Sequence, residues 1–203
     1  MRPFRSTHLL RAALAGLALA AVSLSGQAQT RPFITGMITA GGDTMSTAEF
    51  TDGTSRAIKA GGLFQFGGGL EYRPEAAGYS LQASLGYHVD TVVARNGDMT
   101  FSRLPLELLA FAHGSEQWRF GAGLRKALRA KYSESVDGTP DYSTRMTAKP
   151  GFIVQAEYLW DERGSVFVRY VAEKYEHHYA GWGGEYTDTY KGDHVGVGLS
   201  FRF

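Results

Sequence analysis

The chain has 203 residues with 21 basic and 20 acidic side chains, a near balance that argues against a nucleic-acid-binding protein. It contains no cysteine, which excludes disulfides, a lipoprotein anchor, thiol catalysis and cysteine-based metal sites.

The first predicted element is a secretory signal peptide at residues 1–28. Three arginines supply its basic start, and the Ala/Leu-rich core from Leu14 to Leu24 is too short to span a bilayer as a helix. Small residues before the end of this segment predict cleavage after Ala28, and the alternative is a retained N-terminal anchor helix. We expect residues 29–203 to form one domain without a transmembrane helix.

Eight strand-like runs follow, each alternating apolar and polar residues. They cover residues 33–40, 58–73, 79–89, 103–108, 118–129, 151–160, 166–173 and 195–203. The clearest run begins at Tyr79, where Leu81 and Leu85 alternate with polar residues such as Gln82. A helix would scatter these two sets around its circumference. The first run carries apolar residues on both sides, so its facing stays open.

The connections between these runs alternate in length. Short turns are predicted at residues 73–78, 113–116 and 161–164, and mostly longer polar loops at 41–55, 94–98, 133–144 and 177–191. This alternation is typical of an outer-membrane barrel with periplasmic turns and extracellular loops. Both ends of the domain then lie on the short-turn side.

The apolar faces carry aromatic residues near the short turns, as expected of a girdle at a membrane interface. These residues are Tyr72, Tyr79, Trp118, Tyr158, Trp160 and Phe203. The alternative is an exported lipocalin-type barrel with its apolar faces inward, which period 2 alone does not distinguish. The aromatic C-terminus, the alternating connections and the glycines on the polar faces favour a closed barrel in lipid, where open edges would leave backbone groups unpaired.

Three segments carry a family resemblance: FSRLPLELLAF at 101–111, WRFGAGLR at 118–125 and VGVGLSFRF at 195–203. They resemble the outer membrane protein β-barrel domain family, the OmpA/OmpX-like small barrels. The resemblance covers the chain from about residue 30 onward. It implies an all-β fold, an eight-stranded antiparallel up-and-down transmembrane β-barrel, in the outer membrane of a Gram-negative envelope. It brings no shared catalytic residues.

The same resemblance implies the partners of the chain. These are outer-membrane lipid, both phospholipid and lipopolysaccharide, and the barrel-assembly machinery, which would recognise the C-terminal strand ending at Phe203. We expect a monomer with no nucleic-acid partner.

The polar faces supply charges of both signs. We assign ten of them to a lumen charge network: Glu71, Arg73, Arg103, Glu107, Arg119, Arg125, Arg129, Glu157, Arg169 and Glu173. Eight strands leave an interior just wide enough for side chains, and buried charges need partners. We therefore predict a lumen sealed by Arg–carboxylate pairs, and the alternative is a narrow porin-like channel for small solutes.

Four histidines near the outer strand ends suggest a divalent metal site: His88, His177, His178 and His194. Adjacent side chains on a strand point to opposite faces, so we predict a solvated rim with neither metal nor cofactor. A lipid A-modifying enzyme would need a group such as Ser84, His88 and Asp90. Four residues of strand separate His88 from Ser84 by roughly 13 Å, too far for a hydrogen bond, so we predict no catalytic residues and no enzyme.

The last outer loop combines aromatic residues with glycine and charge. We assign five of them to a candidate surface-binding loop: Tyr175, Tyr179, Trp182, Tyr186 and Tyr190. Tyr and Trp combine large contact area with a polar group, which suits binding to proteins or glycans. The alternatives are that the rings lie at the outer headgroup interface, or that the strands continue beyond the membrane as a hairpin. We predict a non-enzymatic barrel with a structural or surface-interaction role in adhesion or envelope integrity.

Overall fold

The computed structural model describes residues 28–50, 53–74 and 77–203, so the predicted signal peptide, apart from Ala28, lies outside the described residues. These ranges contain the strands β1 Ala28–Gly41, β2 Thr44–Glu49, β3 Ser55–Lys59, β4 Leu63–Pro74, β5 Tyr79–Ala94, β6 Gly97–His113, β7 Trp118–Val136, β8 Tyr142–Ala148, β9 Gly151–Leu159, β10 Gly164–Ala172, β11 Lys174–Gly181, β12 Gly184–Lys191 and β13 His194–Arg202. Among the same residues, no helix is long and apolar enough to cross a lipid bilayer.

Eight of these strands close into a barrel. The hydrogen-bonded order is β1, β4, β5, β6, β7, β9, β10 and β13, and β13 pairs back with β1. Every pairing is antiparallel, and each joins barrel strands that are consecutive in the chain, except for the closing pair β13–β1. Each barrel strand therefore has two backbone partners. This closure confirms the predicted eight-stranded up-and-down barrel.

The two ends of the barrel differ. Short turns join β4 to β5, β6 to β7 and β9 to β10, and we call this side the short-turn end. The chain also finishes there, since the Phe203 N–H donates to the carbonyl of Pro32. The opposite side, the loop end, carries the extra strands β2, β3, β8, β11 and β12. The predicted alternation of short and mostly longer connections is therefore present.

The apolar faces of the strands point outward. In β13, Val195, Val197, Leu199 and Phe201 are each about half exposed, whereas Arg202 and Ser200 are buried. The first strand, whose facing the sequence left open, turns Ile34 and Ile38 outward and buries Phe33 and Met37. This is the reverse of a lipocalin-type barrel, whose apolar faces point inward.

Aromatic side chains gather around the short-turn end on this outer surface. The rings of Trp118 and Tyr158 lie 5.2 Å apart, and those of Trp160 and Phe201 lie 6.0 Å apart. An aromatic band below an apolar surface is the arrangement of a barrel that crosses lipid.

The second predicted strand, residues 58–73, is wrong at its start. The barrel strand β4 begins at Leu63, and residues 55–59 form β3, which pairs with β2 as a separate hairpin. Ile58 and Ala60 are fully buried on the inside, whereas Phe64 and Phe66 face outward. The chain therefore changes face at Gly61 and Gly62, and the apolar residues on either side belong to different environments.

Two predicted loops at the loop end are ordered strands. β7 continues to Val136 and pairs with β8, and residues 174–191 form the β11–β12 hairpin predicted as one alternative. The tip of that hairpin is Gly183–Gly184, where positive φ angles of 108° and 148° suit glycine. β11 also pairs with β8, so β8, β11 and β12 extend the barrel sheet beyond β7, whereas β2 and β3 form a separate hairpin.

Candidate functional sites: the lumen and the outer hairpin

The lower layer of the lumen is a buried square of two arginines and two glutamates. Arg119 Nη1 lies 2.9 Å from Glu71 Oε2, and Arg119 Nη2 lies 3.0 Å from Glu157 Oε1. Arg202 pairs with the same two glutamates, at 3.0 Å from Glu71. These side chains come from β4, β7, β9 and β13, so they link strands across the barrel as well as around it.

A second layer lies nearer the loop end. Arg125 pairs with Glu107 at 2.6 Å and with Glu173 at 2.9 Å, and Arg169 pairs with Glu107 at 2.8 Å. Gln65 donates to Glu107 and accepts from Arg125, which satisfies further polar atoms. Because each charge has an opposite partner, the cost of removing these groups from water is offset.

Arg103 and an apolar cluster occupy the space above these layers. The Arg103 guanidinium donates to the carbonyls of Ala60 and Gly62, at the end of the β2–β3 hairpin. The cluster includes Ile58, Phe101 and Tyr175, all fully buried. The hairpin thus contributes side chains to the inside of the barrel, above the two ion-pair layers.

The structure places eight of the ten predicted network residues inside and two outside. Arg73 is exposed at the short-turn end, where its strand runs beyond the lower layer into water. Arg129 is exposed because β7 contains a bulge: Arg103 opposes Ala130 while Pro105 opposes Ala127, so β7 has one extra residue there. A bulge changes which face the following residues occupy.

The prediction also missed Arg202 as a member of the lower layer. The signal was present, because Arg202 follows Ser200 on the polar side of the last strand.

Two of the four histidines lie inside the barrel and away from the rim. His88, His194 and Glu173 are buried, with potential ligand atoms within 4.8 Å of one another. Arg125 can only donate, so His88 Nδ1 accepts from it and Nε2–H donates to Thr39 Oγ1. This uses both ring nitrogens of His88 and leaves it no free lone pair for a metal ion. The nearby guanidiniums of Arg103 and Arg125 add a further repulsion for cations.

The other two histidines lie on β11, outside this buried group, and they bond to different strands. His177 shares a hydrogen bond with Thr144, and His178 shares one with Thr187. The candidate enzyme group is also dispersed, because Asp90 accepts from the Lys59 backbone N–H. Asp90 therefore does not orient His88.

The candidate surface-binding loop divides into two parts. Tyr175 is buried in the apolar cluster, 5.2 Å from the Phe101 ring, and Tyr190 packs against the same cluster. Both residues lie at the base of the hairpin, where Tyr175 is fully buried and not available to a partner, whereas Tyr190 is partly buried.

The remaining three residues form what we call the aromatic tip: Tyr179, Trp182 and Tyr186. Tyr179 and Tyr186 are cross-strand partners whose rings stack at 5.7 Å, and His177 stacks on Tyr179 at 5.4 Å. Trp182 is fully exposed at the turn. At the hairpin base, the hydrogen bond from Lys149 holds the pKa of Glu176 below its ordinary value, so the pair ties β11 to the β8–β9 connection at neutral pH.

Comparison with solved structures identifies proteins with a similar architecture. Ail, the attachment invasion locus protein of Yersinia pestis, aligns with 88% of this chain and 100% of its own, at 12% sequence identity and a TM-score of 0.51. Neisserial surface protein A aligns with 88% of this chain and 100% of its own, at 10% identity and a TM-score of 0.52. The chain has the fold of the small outer-membrane β-barrels. No protein-family model and no curated protein matches the sequence.

Proposed function

We propose that this protein is a monomeric, non-enzymatic barrel of the Gram-negative outer membrane that acts in surface interaction, in adhesion or envelope integrity. The outward apolar surface and the aromatic band at the short-turn end support this location, because they are stable only against acyl chains. The predicted signal peptide, cleaved after about Ala28, would export the chain, and the strand ending at Phe203 would engage the barrel-assembly machinery.

The aromatic tip is the observation that carries the interaction role. Tyr179 and Tyr186 are stacked and about 42–45% exposed, and the fully exposed ring of Trp182 stacks on no aromatic ring among the residues that the structure describes. Aromatic side chains held rigidly on a hairpin lose little conformational entropy on binding, and they dominate the energetics of many interfaces. The strands β8, β11 and β12 hold this surface away from the membrane.

The filled lumen and the dispersed polar groups support the remaining parts of the proposal. Two ion-pair layers and an apolar cluster occupy the interior, which favours a sealed barrel over the porin-like alternative. The hydrogen bonds of His88 leave it without a free base nitrogen, which disfavours the lipid A-modifying alternative.

The aromatic tip can be tested in cells that express the protein. We expect Y179S/W182S/Y186S to lower adhesion to epithelial cells at least about tenfold, because each buried aromatic anchor in an interface contributes roughly 2 kcal/mol. Y142S, which changes an exposed tyrosine on β8, is the matched control and should adhere like the wild type. Unchanged adhesion and serum survival of a correctly folded triple variant would contradict the proposal.

A further inference from the structure

The bulge in β7 places cations on the lipid-facing side of the barrel. Below the bulge, Phe120 and Leu124 face outward while Arg119 and Arg125 face the lumen. At the bulge, Leu128 and Arg129 are both exposed, and the residues on either side, Ala127 and Ala130, are buried. Arg129 is thereby removed from the interior, where alternation would have placed it, and lies outside.

Two further cations lie beside Arg129. Lys131 on β7 and Arg145 on β8 are direct cross-strand partners and share the outer face, since Tyr132 and Met146 point to the interior cluster. Directly opposed like charges have Cβ atoms about 4.5–5.5 Å apart and destabilise a strand pair. Lys126 lies on the same face, closer to the membrane centre. We call Lys126, Arg129, Lys131 and Arg145 the basic stripe.

Among the residues that the structure describes, no carboxylate neutralises the stripe. In the described part of the chain, none of its four side chains takes part in an ion pair, whereas nearby Lys149 pairs with Glu176 at 2.9 Å. Across from Lys131, the facing residue of β6 is Ser102, a neutral hydroxyl. The nearest acid along β7, Glu134, accepts from Tyr132 on the other face. The four cations of the stripe could therefore be neutralised by a bound anion.

The stripe lies at the level where that anion is available. With about 3.3 Å per residue and a strand tilt near 40°, Arg129 and Lys131 lie roughly 28–33 Å above Trp118, just beyond an apolar band about 25 Å tall. Lys126 lies lower, and its long side chain can reach the same interface. Leu124 on β7 and Phe152 on β9 are cross-strand partners just below the stripe. Both are more than half exposed and would contact acyl chains.

We propose that the basic stripe binds the phosphate groups of lipid A, the phosphorylated glycolipid anchor of lipopolysaccharide, in the outer leaflet. Arginine binds phosphate through two parallel N–H groups, and lysine adds a point charge. The stripe offers two arginines and two lysines within one cross-strand neighbourhood, directly above an apolar surface for the acyl chains. The site is independent of the aromatic tip and depends only on the barrel lying in the outer membrane.

Binding of lipid A to the purified, folded barrel in detergent micelles tests this site. Native mass spectrometry would count bound lipid for the wild type and for R129Q/K131Q/R145Q, with bisphosphorylated and dephosphorylated lipid A. We expect the triple variant to lose at least tenfold in affinity for the bisphosphorylated lipid. We expect the wild type to bind the dephosphorylated lipid no better than the variant binds the phosphorylated one.

R56Q/R95Q/R163Q is the matched control, because it removes three exposed arginines that are not part of the stripe, one on β3 and two in turns. It should bind bisphosphorylated lipid A within about twofold of the wild type. K131Q/R145Q provides a second variant if the triple variant does not fold, and it should lose affinity in the same direction. Equal binding by the stripe variants and the wild type, or equal binding of the two lipids, would overturn the proposal.

Discussion

Individual ion pairs inside the barrel differ from those on its surface in how much they stabilise it. Arg125 is completely buried between Glu107 and Glu173, so water does not compensate either partner when the pair is broken. Arg31 and Glu162 are 3.9 Å apart at the surface, with the Arg31 side chain partly exposed and that of Glu162 largely exposed, so solvent screens their attraction. An Arg–Glu pair therefore contributes differently to stability inside the barrel and on its surface.

Arg125→Leu should lower the free energy of unfolding by about 3–5 kcal/mol, because it leaves buried carboxylates without a cation. Arg31→Gln, the control at the surface ion pair, should change the free energy of unfolding by no more than about 1 kcal/mol. Urea unfolding in lipid vesicles, followed by tryptophan fluorescence, measures both. Equal effects of the two substitutions would contradict the assignment of Arg125 to a sealed interior.

Alternation along the strands predicted eight of the ten network residues on the inside, because period 2 fixes the face of each side chain. Arg129 was misplaced because a bulge adds one residue, and no local residue pattern marks the position of that insertion. Arg73 was misplaced because alternation gives the face but not the height at which the lumen ends.

At the scale of elements, the β2–β3 hairpin packs into the loop end of the barrel and helps to close it. Its residue Ile58 is fully buried with Val92 and Phe101 in the apolar cluster, although it belongs to a connection between barrel strands. The apolar contact of Ile58 helps to hold the hairpin against the barrel wall, together with the hydrogen bonds of Arg103 to the carbonyls of Ala60 and Gly62.

Ile58→Asp should release the hairpin, because an unpaired carboxylate in the apolar cluster costs several kcal/mol. Trypsin should then cleave after Arg56 and Lys59 at least about tenfold faster, with the cleavage sites read by mass spectrometry. Thr47→Asp introduces the same charge at an exposed position of β2 and should leave the cleavage rate unchanged. A protected hairpin in the Ile58→Asp variant would show that this contact is not what holds it.

At the scale of the whole molecule, the barrel separates an apolar exterior from a charged interior. Eight strands make a cylinder whose inside is just filled by side chains, and here arginine and glutamate fill it in paired layers. Charges that could line a channel in a wider barrel instead neutralise one another in this one.

The filled interior predicts that the purified protein gives no steady conductance at low voltage in planar lipid bilayers. A wide trimeric porin, measured in the same bilayers, serves as the positive control. A large and stable open channel from the wild-type protein would contradict the sealed lumen and favour the porin-like alternative.

The sequence by itself determined most of the strands and which residues share a face, because side-chain alternation and turn length are local properties of the chain, and its family resemblance implied closure into an eight-stranded barrel. Only the tertiary structure decided that the β2–β3 hairpin folds inward, that Tyr175 is buried, and that Arg129 joins Lys131 and Arg145 outside. These outcomes depend on which residues meet across strands distant in sequence, and on one inserted residue that changes the facing of a strand.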